Sequence, residues 1–270
     1  MTPFSVLIEK DMSMNAPSIN HEFPNLDRSP IVEAILYFQT RTTVQWGTHE
    51  LSDAIKKHLP DYPNIEIEKN SEIGYSQSLT DPEMPFPTSK RVLMGLRFQA
   101  NDQPNFALFR PDSFTFSRLK PYQKWETFAS EALRLWDIYC ELAKPIEIQR
   151  LGVRFINQIP LKGIDELAQI LKEAPTRVDE LPLKSFFYQS SLAVDRDKLE
   201  IGIIKTMSPE TGVTDSDASF YLDIDVYTVE SISTERDDLI SLLPKLRYYK
   251  NKVFFDLLTE TKALSFRGAE

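Results

Sequence analysis

Apolar residues recur along this chain with two periods, two and three-to-four, and the alternation between them marks out the elements. Residues 31–38 set Val32, Ala34, Leu36 and Phe38 against Ile31, Glu33, Ile35 and Tyr37, which predicts a strand opened by Pro30. Residues 48–59 place Leu51, Ile55 and Leu59 four apart, a one-striped helix capped by Thr48 and stopped by Pro60. Ile65 and Ile67 alternate with Glu66 and Glu68 in a short strand, and residues 71–89, polar and bearing Pro82, Pro85 and Pro87, read as an exposed loop. A strand over 91–100 carries Val92, Met94, Leu96 and Phe98 on one face. Strands at 106–110 and 114–119 flank Pro111-Asp112-Ser113, a hairpin turn. From Pro121, a continuous stripe of Trp125, Phe128, Ala129, Ala132, Leu135, Trp136 and Tyr139 predicts a helix that must bury one side against a sheet.

A comparable pattern follows Lys144-Pro145. Residues 148–159 form a strand with Leu151, Val153, Phe155 and Ile159 on one face, and 164–172 a helix with Leu167, Ile170 and Leu171 apolar. Strands at 186–194 and 199–206 are joined by the four polar residues 195–198, and 207–218 is a polar loop. Phe220, Leu222, Ile224 and Val226 alternate with Tyr221, Asp223, Asp225 and Tyr227, a strand whose acidic side faces water. A long helix closes the chain over about 235–263, adjusted at Pro244, with Leu246, Tyr249, Lys250, Val253, Phe254, Leu257 and Leu258 as its apolar face.

By element type, residues 30–144 read strand, helix, four strands, helix, and residues 145–270 read strand, helix, three strands, helix. The expectation is an α+β protein of two tandem halves, each an antiparallel sheet with a long helix on one face, joined in one curved sheet and one compact unit. The element order is similar to that of the TATA-box-binding fold. Residues 1–29 read as an extended arm: 12–30 is rich in Asn, Ser and Pro, whereas Phe4, Val6, Leu7 and Ile8 suit contact with a neighbour.

Composition narrows the function classes. The chain has 270 residues, 41% of them hydrophobic, enough for a substantial core. With 31 basic against 40 acidic side chains, a net charge of -9, it repels phosphate backbones and anionic lipid, so generic nucleic-acid and membrane binding are disfavoured. The N-terminus lacks the form of a signal peptide, and no apolar run is long enough to cross a membrane. One cysteine, Cys140, forms no internal disulfide, and a cytoplasmic location is the economical reading. Neither a metal nor an organic cofactor is expected. Only three histidines occur, with His49 and His58 on opposite sides of one predicted helix. Asp215, Asp217, Asp223 and Asp225 lack the further ligand spacing of a cation cage, and eight scattered glycines offer no phosphate loop.

Three segments carry a resemblance: 29–34 (SPIVEA), 114–125 (FTFSRLKPYQKW) and 150–157 (RLGVRFIN). They resemble the signature regions of a sporadically distributed family of uncharacterised bacterial proteins, and the end of the terminal helix is similar too. The resemblance carries no known activity; patchy occurrence implies an accessory role, such as phage defence or toxin neutralisation. Within these segments lie the candidate ligand-binding residues. Ser117, Arg118 and Tyr122 offer a hydroxyl, a cation and an aromatic platform at a strand-to-helix corner; Arg150 and Arg154 share one strand face, and Asn157 follows. No residue set has the spacing of a catalytic constellation.

The favoured expectation is therefore a non-catalytic protein-binding or assembly component, with a protein partner encoded by a neighbouring gene or a second copy of the chain. The alternative is a small-ligand receptor or enzyme with an arginine-lined pocket built from Ser117, Arg118, Tyr122, Arg150, Arg154 and Asn157. A third, in which the sheet grips a nucleic acid, is opposed by charge.

Overall fold

The computed structural model of the chain describes residues 23–43, 48–76, 86–101, 104–163, 166–174, 183–196, 199–210 and 218–267. Strands form at β1 (Ile31–Thr42), β2 (Asn64–Ser76), β3 (Phe86–Gln99), β4 (Asn105–Arg110), β5 (Ser113–Leu119), β6 (Pro145–Pro160), β7 (Tyr188–Arg196), β8 (Leu199–Pro209) and β9 (Ser219–Thr228). Among the described residues the helices are α1 (Thr48–His58), α2 (Trp125–Ala143), α3 (Leu167–Ile170), α4 (Arg236–Leu257) and α5 (Glu260–Ser265). All nine strands pair antiparallel in one curved sheet, in the order β2-β3-β4-β5-β1-β6-β9-β8-β7.

β1 and β6 lie side by side near the centre; after β1 the chain goes out to the edge at β2 and steps back through β3, β4 and β5 to β1, and after β6 it goes out to the other edge at β7 and steps back through β8 and β9 to β6. One face of the sheet is apolar because each strand alternates. Ala34, Leu36 and Phe38 of β1 align with Phe155, Val153 and Leu151 of β6, and all six are buried. Helix α2 covers β5 and β1, and α4 covers β9 and β6, both on this apolar face. The seven predicted stripe residues of α2 are all buried. Trp136 stacks on Phe38 at 4.4 Å between ring centroids, Tyr139 stacks on Trp136 at 5.3 Å, and Phe114 and Phe109 continue the cluster. Among the described residues, no helix packs on the opposite face of the sheet.

Two polar clusters between the helices and the sheet are internally satisfied. The hydroxyls of Thr40 and Tyr139 are 2.8 Å apart, and Tyr139 lies within 3.4 Å of the Pro111 carbonyl, so Tyr139 donates to Pro111 while accepting from Thr40. Between α1 and α2, Tyr62 donates to Glu131 at 2.8 Å and Arg134 grips the same carboxylate at 2.7 Å. Burial alone would push the Glu131 pKa up, but the hydrogen bonds from Arg134 and Tyr62 more than offset it and hold the carboxyl below its ordinary value. A depressed folded pKa contributes stability above the unfolded carboxyl range, which is lost as pH falls through the folded value. Glu131→Gln should therefore flatten the acid limb of a stability-against-pH curve measured by urea unfolding. An acid limb identical to the wild type would contradict this account.

Several boundaries differ from expectation, each for a physical reason. Residues 71–76 and 86–89 belong to strands, not to a loop: β2 and β3 pair from Asn64↔Gln99 out to Ser76↔Phe86, with Pro87 opposite Tyr75. Proline is tolerated there because β4 pairs with β3 only at Leu96–Gln99, leaving one edge of β3 without a ladder to supply. Pro82 and Pro85 lie outside the described residues. The β7–β8 hairpin pairs as far as Arg196↔Leu199, so its connection is two residues shorter than the expected four. Helix α2 begins at Trp125 instead of at Pro121, whose peptide bond to Lys120 is cis. The predicted helix over 164–172 shrinks to the single turn of α3.

The terminal helix is not continuous. It passes through Pro244, which is exposed, and breaks instead at Leu258-Thr259. Leu258 bridges to Leu171, the Thr259 amide donates to the Ile170 carbonyl at 2.8 Å, and the Thr259 hydroxyl caps α5 by accepting from Lys262 N. The strand-like pairing with the segment after α3 supplies the backbone bonds that the helix gives up. Of the arm, residues 23–29 are described: Phe23 stacks on Phe255 at 5.4 Å, and Arg28 bonds to the carbonyls of Phe266 and Arg267. Phe4, Val6, Leu7 and Ile8 lie outside the described residues.

Candidate functional site

Strand alternation divides the six candidate residues between the two sides of the sheet. Ser117, Arg150 and Arg154 point to the helix-free face; Arg118 and Asn157 point to the helical side, where Tyr122 also lies. The arginine-lined pocket expected of all six together is therefore not assembled.

On the helical side, Arg118 is buried at the end of β5, donating to the Pro121 carbonyl and to Asn105 Oδ1, both at 3.3 Å. It ties the corner between β5 and α2 to β4. Asn157 occupies an inward position of β6 and donates from Nδ2 to the Leu222 carbonyl at 3.0 Å, bridging to β9. Tyr122 presents its edge to Phe155 and Phe128, and burial raises its phenol pKa. Tyr122, Phe155 and Asn157 form part of a cleft of about 940 Å³ between α2 and α4, walled on its third side by residues 23–31. The sequence reading missed its central cation, Lys250, although the signal was present: Lys250 interrupts the apolar stripe of the terminal helix between Tyr249 and Val253.

On the helix-free face the two candidate arginines are already paired. Arg150 donates to Asp225 at 2.7 Å, and Arg154 grips Asp223 with two nitrogens at 2.9 and 2.5 Å. The hydrogen bonds that it donates to Asp223 raise the Arg154 pKa further. The acidic side of β9 is thus neutralised by β6, not simply solvated. Arg41, Arg97 and Arg110 of the same face pair with Glu147, Glu66 and Glu68. Ser117 sits between them in a cross-strand row with Phe106, Ile35, Arg154 and Asp225.

The next row makes a flat platform. Tyr37 of β1 and Tyr227 of β9 flank Gly152 of β6, and Gly202 of β8 lies beyond Tyr227. The Arg150 guanidinium rests over the Tyr227 ring at 4.0 Å and reaches towards Tyr37 at 5.8 Å. Gly202 leaves room for this close approach, since a Cβ there would meet the Tyr227 ring at 2.4 Å and push it away; a Cβ on Gly152 would meet Arg150 at 3.1 Å, which a small shift of the guanidinium relieves. Around the platform, Ile35, Leu108, Ile156 and Ile204 leave partly exposed apolar surface between the ion pairs.

Among the described residues no group of His, Cys, Asp and Glu could hold a metal ion; Asp215 and Asp217 lie outside them, as does the side chain of His49. The Cys140 thiol is pushed up to about 12, first by burial and then by Asp137 and Glu235. It should react with iodoacetamide at neutral pH far more slowly than in the urea-unfolded chain, as mass spectrometry would show; equal rates would mean that the thiol is not sheltered. Among the described residues, no helix is long and apolar enough to cross a membrane. Comparison with protein-family models and with curated proteins finds no match.

Proposed function

We propose that this protein is a non-catalytic docking component that holds a protein partner against the helix-free face of its sheet. The observation that carries the reading is that face itself: aromatic and aliphatic side chains run across β4, β5, β1, β6, β9 and β8, interleaved with pre-formed arginine–carboxylate pairs. A protein surface of mixed character suits it better than a nucleic acid does. Phosphate recognition needs cations with unspent charge, whereas each of these five arginines has a carboxylate partner and the chain is acidic overall. The tyrosine–arginine platform, partly apolar, has the composition of an interface centre.

The two halves, on this reading, are repeats of one strand-helix-strands-helix plan, related about the β1–β6 seam, with an element order like that of the TATA-box-binding fold. Membership of the sporadic bacterial family remains part of the proposal, with an accessory role in defence or toxin neutralisation and a partner encoded nearby.

The test is co-purification from the native host. The wild type should bring down one stoichiometric protein, and Gly202→Val should lose it. The added methyl groups force Tyr227 off the sheet, yet the ring can swing into solvent, so the stability cost should stay near 1 kcal/mol by urea unfolding. A wild type that emerges alone as a clean monomer, or a Gly202→Val variant that keeps the partner, would sink the proposal.

A further inference from the structure

The cleft between α2 and α4 holds a cation that no described carboxylate neutralises. Lys250 projects from α4 with its Nζ 4.0 Å from the centre of the Phe155 ring, and its described charged neighbour is another cation, Arg247. Arg247 is already engaged, bonding to Glu126 at 3.3 Å and lying over Trp125 at 5.4 Å. Across the cleft stands the N-terminus of α2, a helix of 19 residues whose N-cap, Lys124, supplies no side-chain acceptor. Trp125, Glu126 and Thr127 of its first turn line the same space. The positive end of the helix and the half-buried Lys250 ammonium thus line one opening, an arrangement that favours a negative group between them.

The rest of the lining sets what that group is attached to. Tyr122, Trp125, Phe155 and Phe254 provide aromatic walls, and the volume of about 940 Å³ is that of a small-molecule site. Three cations, Lys124, Arg247 and Lys250, and two carboxylates, Asp27 and Glu126, line the opening, a balance of one positive charge that matches a singly charged anion better than a phosphate ester. We propose that this cleft binds a small aromatic monocarboxylate, its carboxylate paired with Lys250 below the start of α2 and its ring held among Tyr122, Trp125 and Phe155.

Proton linkage follows from the surroundings of the amine. Burial, followed by the proximity of Arg247, brings the Lys250 pKa down to about 7. A bound carboxylate restores the charged form, so binding above neutrality takes up a proton and weakens as pH rises. The other charged or titratable groups in the lining are Lys124, Asp27, Glu126 and Tyr122; burial raises the Tyr122 pKa, keeping its phenol neutral across this range.

Indole-3-acetate is the probe, with the uncharged indole-3-acetamide as control, measured by calorimetry on the full chain in buffers of different ionisation enthalpy. One saturable site should appear for the acid, with the amide weaker by about tenfold or more and proton uptake evident above neutral pH. Lys250→Met should weaken the acid by at least about tenfold while leaving the amide unchanged, and Lys250→Arg should restore most of the affinity for the acid without the proton uptake. Equal affinity for acid and amide, undiminished binding of the acid by Lys250→Met, or no saturable binding at millimolar concentration would each overturn the proposal. The open sheet face takes no part in this test, so its outcome is independent of the docking role.

Discussion

Replacing Trp136 by alanine should cost the fold about 3–5 kcal/mol, enough to leave it marginal, because truncation of a buried tryptophan combines lost transfer energy with a cavity that cannot fully close. Trp136 is 1% exposed and lies between Phe38 of β1 and Tyr139 of its own helix, with Phe114 of β5 alongside. The neighbouring rings are themselves stacked or tilted against one another, so none is free to move into the space. The site is also the joint between α2 and the centre of the sheet, where β1 joins β5 to β6. Trp136→Phe, which keeps an aromatic ring against Phe38, should cost well under half as much. Urea unfolding followed by circular dichroism reads both variants. A loss below about 1 kcal/mol for Trp136→Ala would mean that α2 is not anchored by this stack.

The parts of this architecture that were legible share one property: their apolar residues bury on a single face, so that period and environment agree. The α2 stripe is the clearest instance, and the alternation of β9 another, with Phe220, Leu222, Ile224 and Val226 all fully buried. Where local signals and tertiary pairing conflict, the pairing wins. Pro87 reads locally as a loop residue but lies in an outer stretch of ribbon that asks for no second hydrogen bond. Pro244 reads as the place where the last helix adjusts, yet the break comes at Leu258, where the segment after α3 offers backbone partners that no local pattern encodes.

The candidate site was legible in part. Ser117 and Arg118 are neighbours in one strand, and Arg154 and Asn157 are three apart in another, so alternation alone places each pair on opposite faces. What alternation cannot supply is who sits alongside: the pairing of Arg150 with Asp225 and Arg154 with Asp223 depends on β6 and β9 being neighbours, although some 70 residues separate them in sequence. The position of Tyr227 beneath Arg150 depends likewise on Gly202, whose role appears only when β8 and β9 are placed side by side. Lys250 is the reverse case. Its place in an apolar stripe was plain, and only the cleft shows that the amine has no described carboxylate to meet.

That unneutralised amine makes a second prediction with a large effect, and it runs opposite to most substitutions: Lys250→Met should stabilise the protein. The unfolded chain binds a proton at this lysine up to the ordinary range near pH 10.4, whereas the folded chain releases it near 7. Between those values the unfolded state holds more protons, so the wild type gains stability as pH rises from neutrality towards 10; below about 7 the full cost of burying the charge is present. Methionine keeps the length of the side chain against Phe155 and removes the charge that Arg247 repels. At neutral pH the gain should be about 2 kcal/mol, discounting the full linkage value because the cleft opens to water. Above pH 10 the two proteins should converge, since the wild-type lysine is then neutral in both states. Thermal unfolding of both proteins across this pH range decides the matter: a variant that is less stable at neutral pH, or parallel curves with no convergence, would show that the ammonium is satisfied where it stands. A stabilising loss of Lys250 would also fit a binding role for the cleft, because a charge held at a cost to the fold is recovered when an anion arrives.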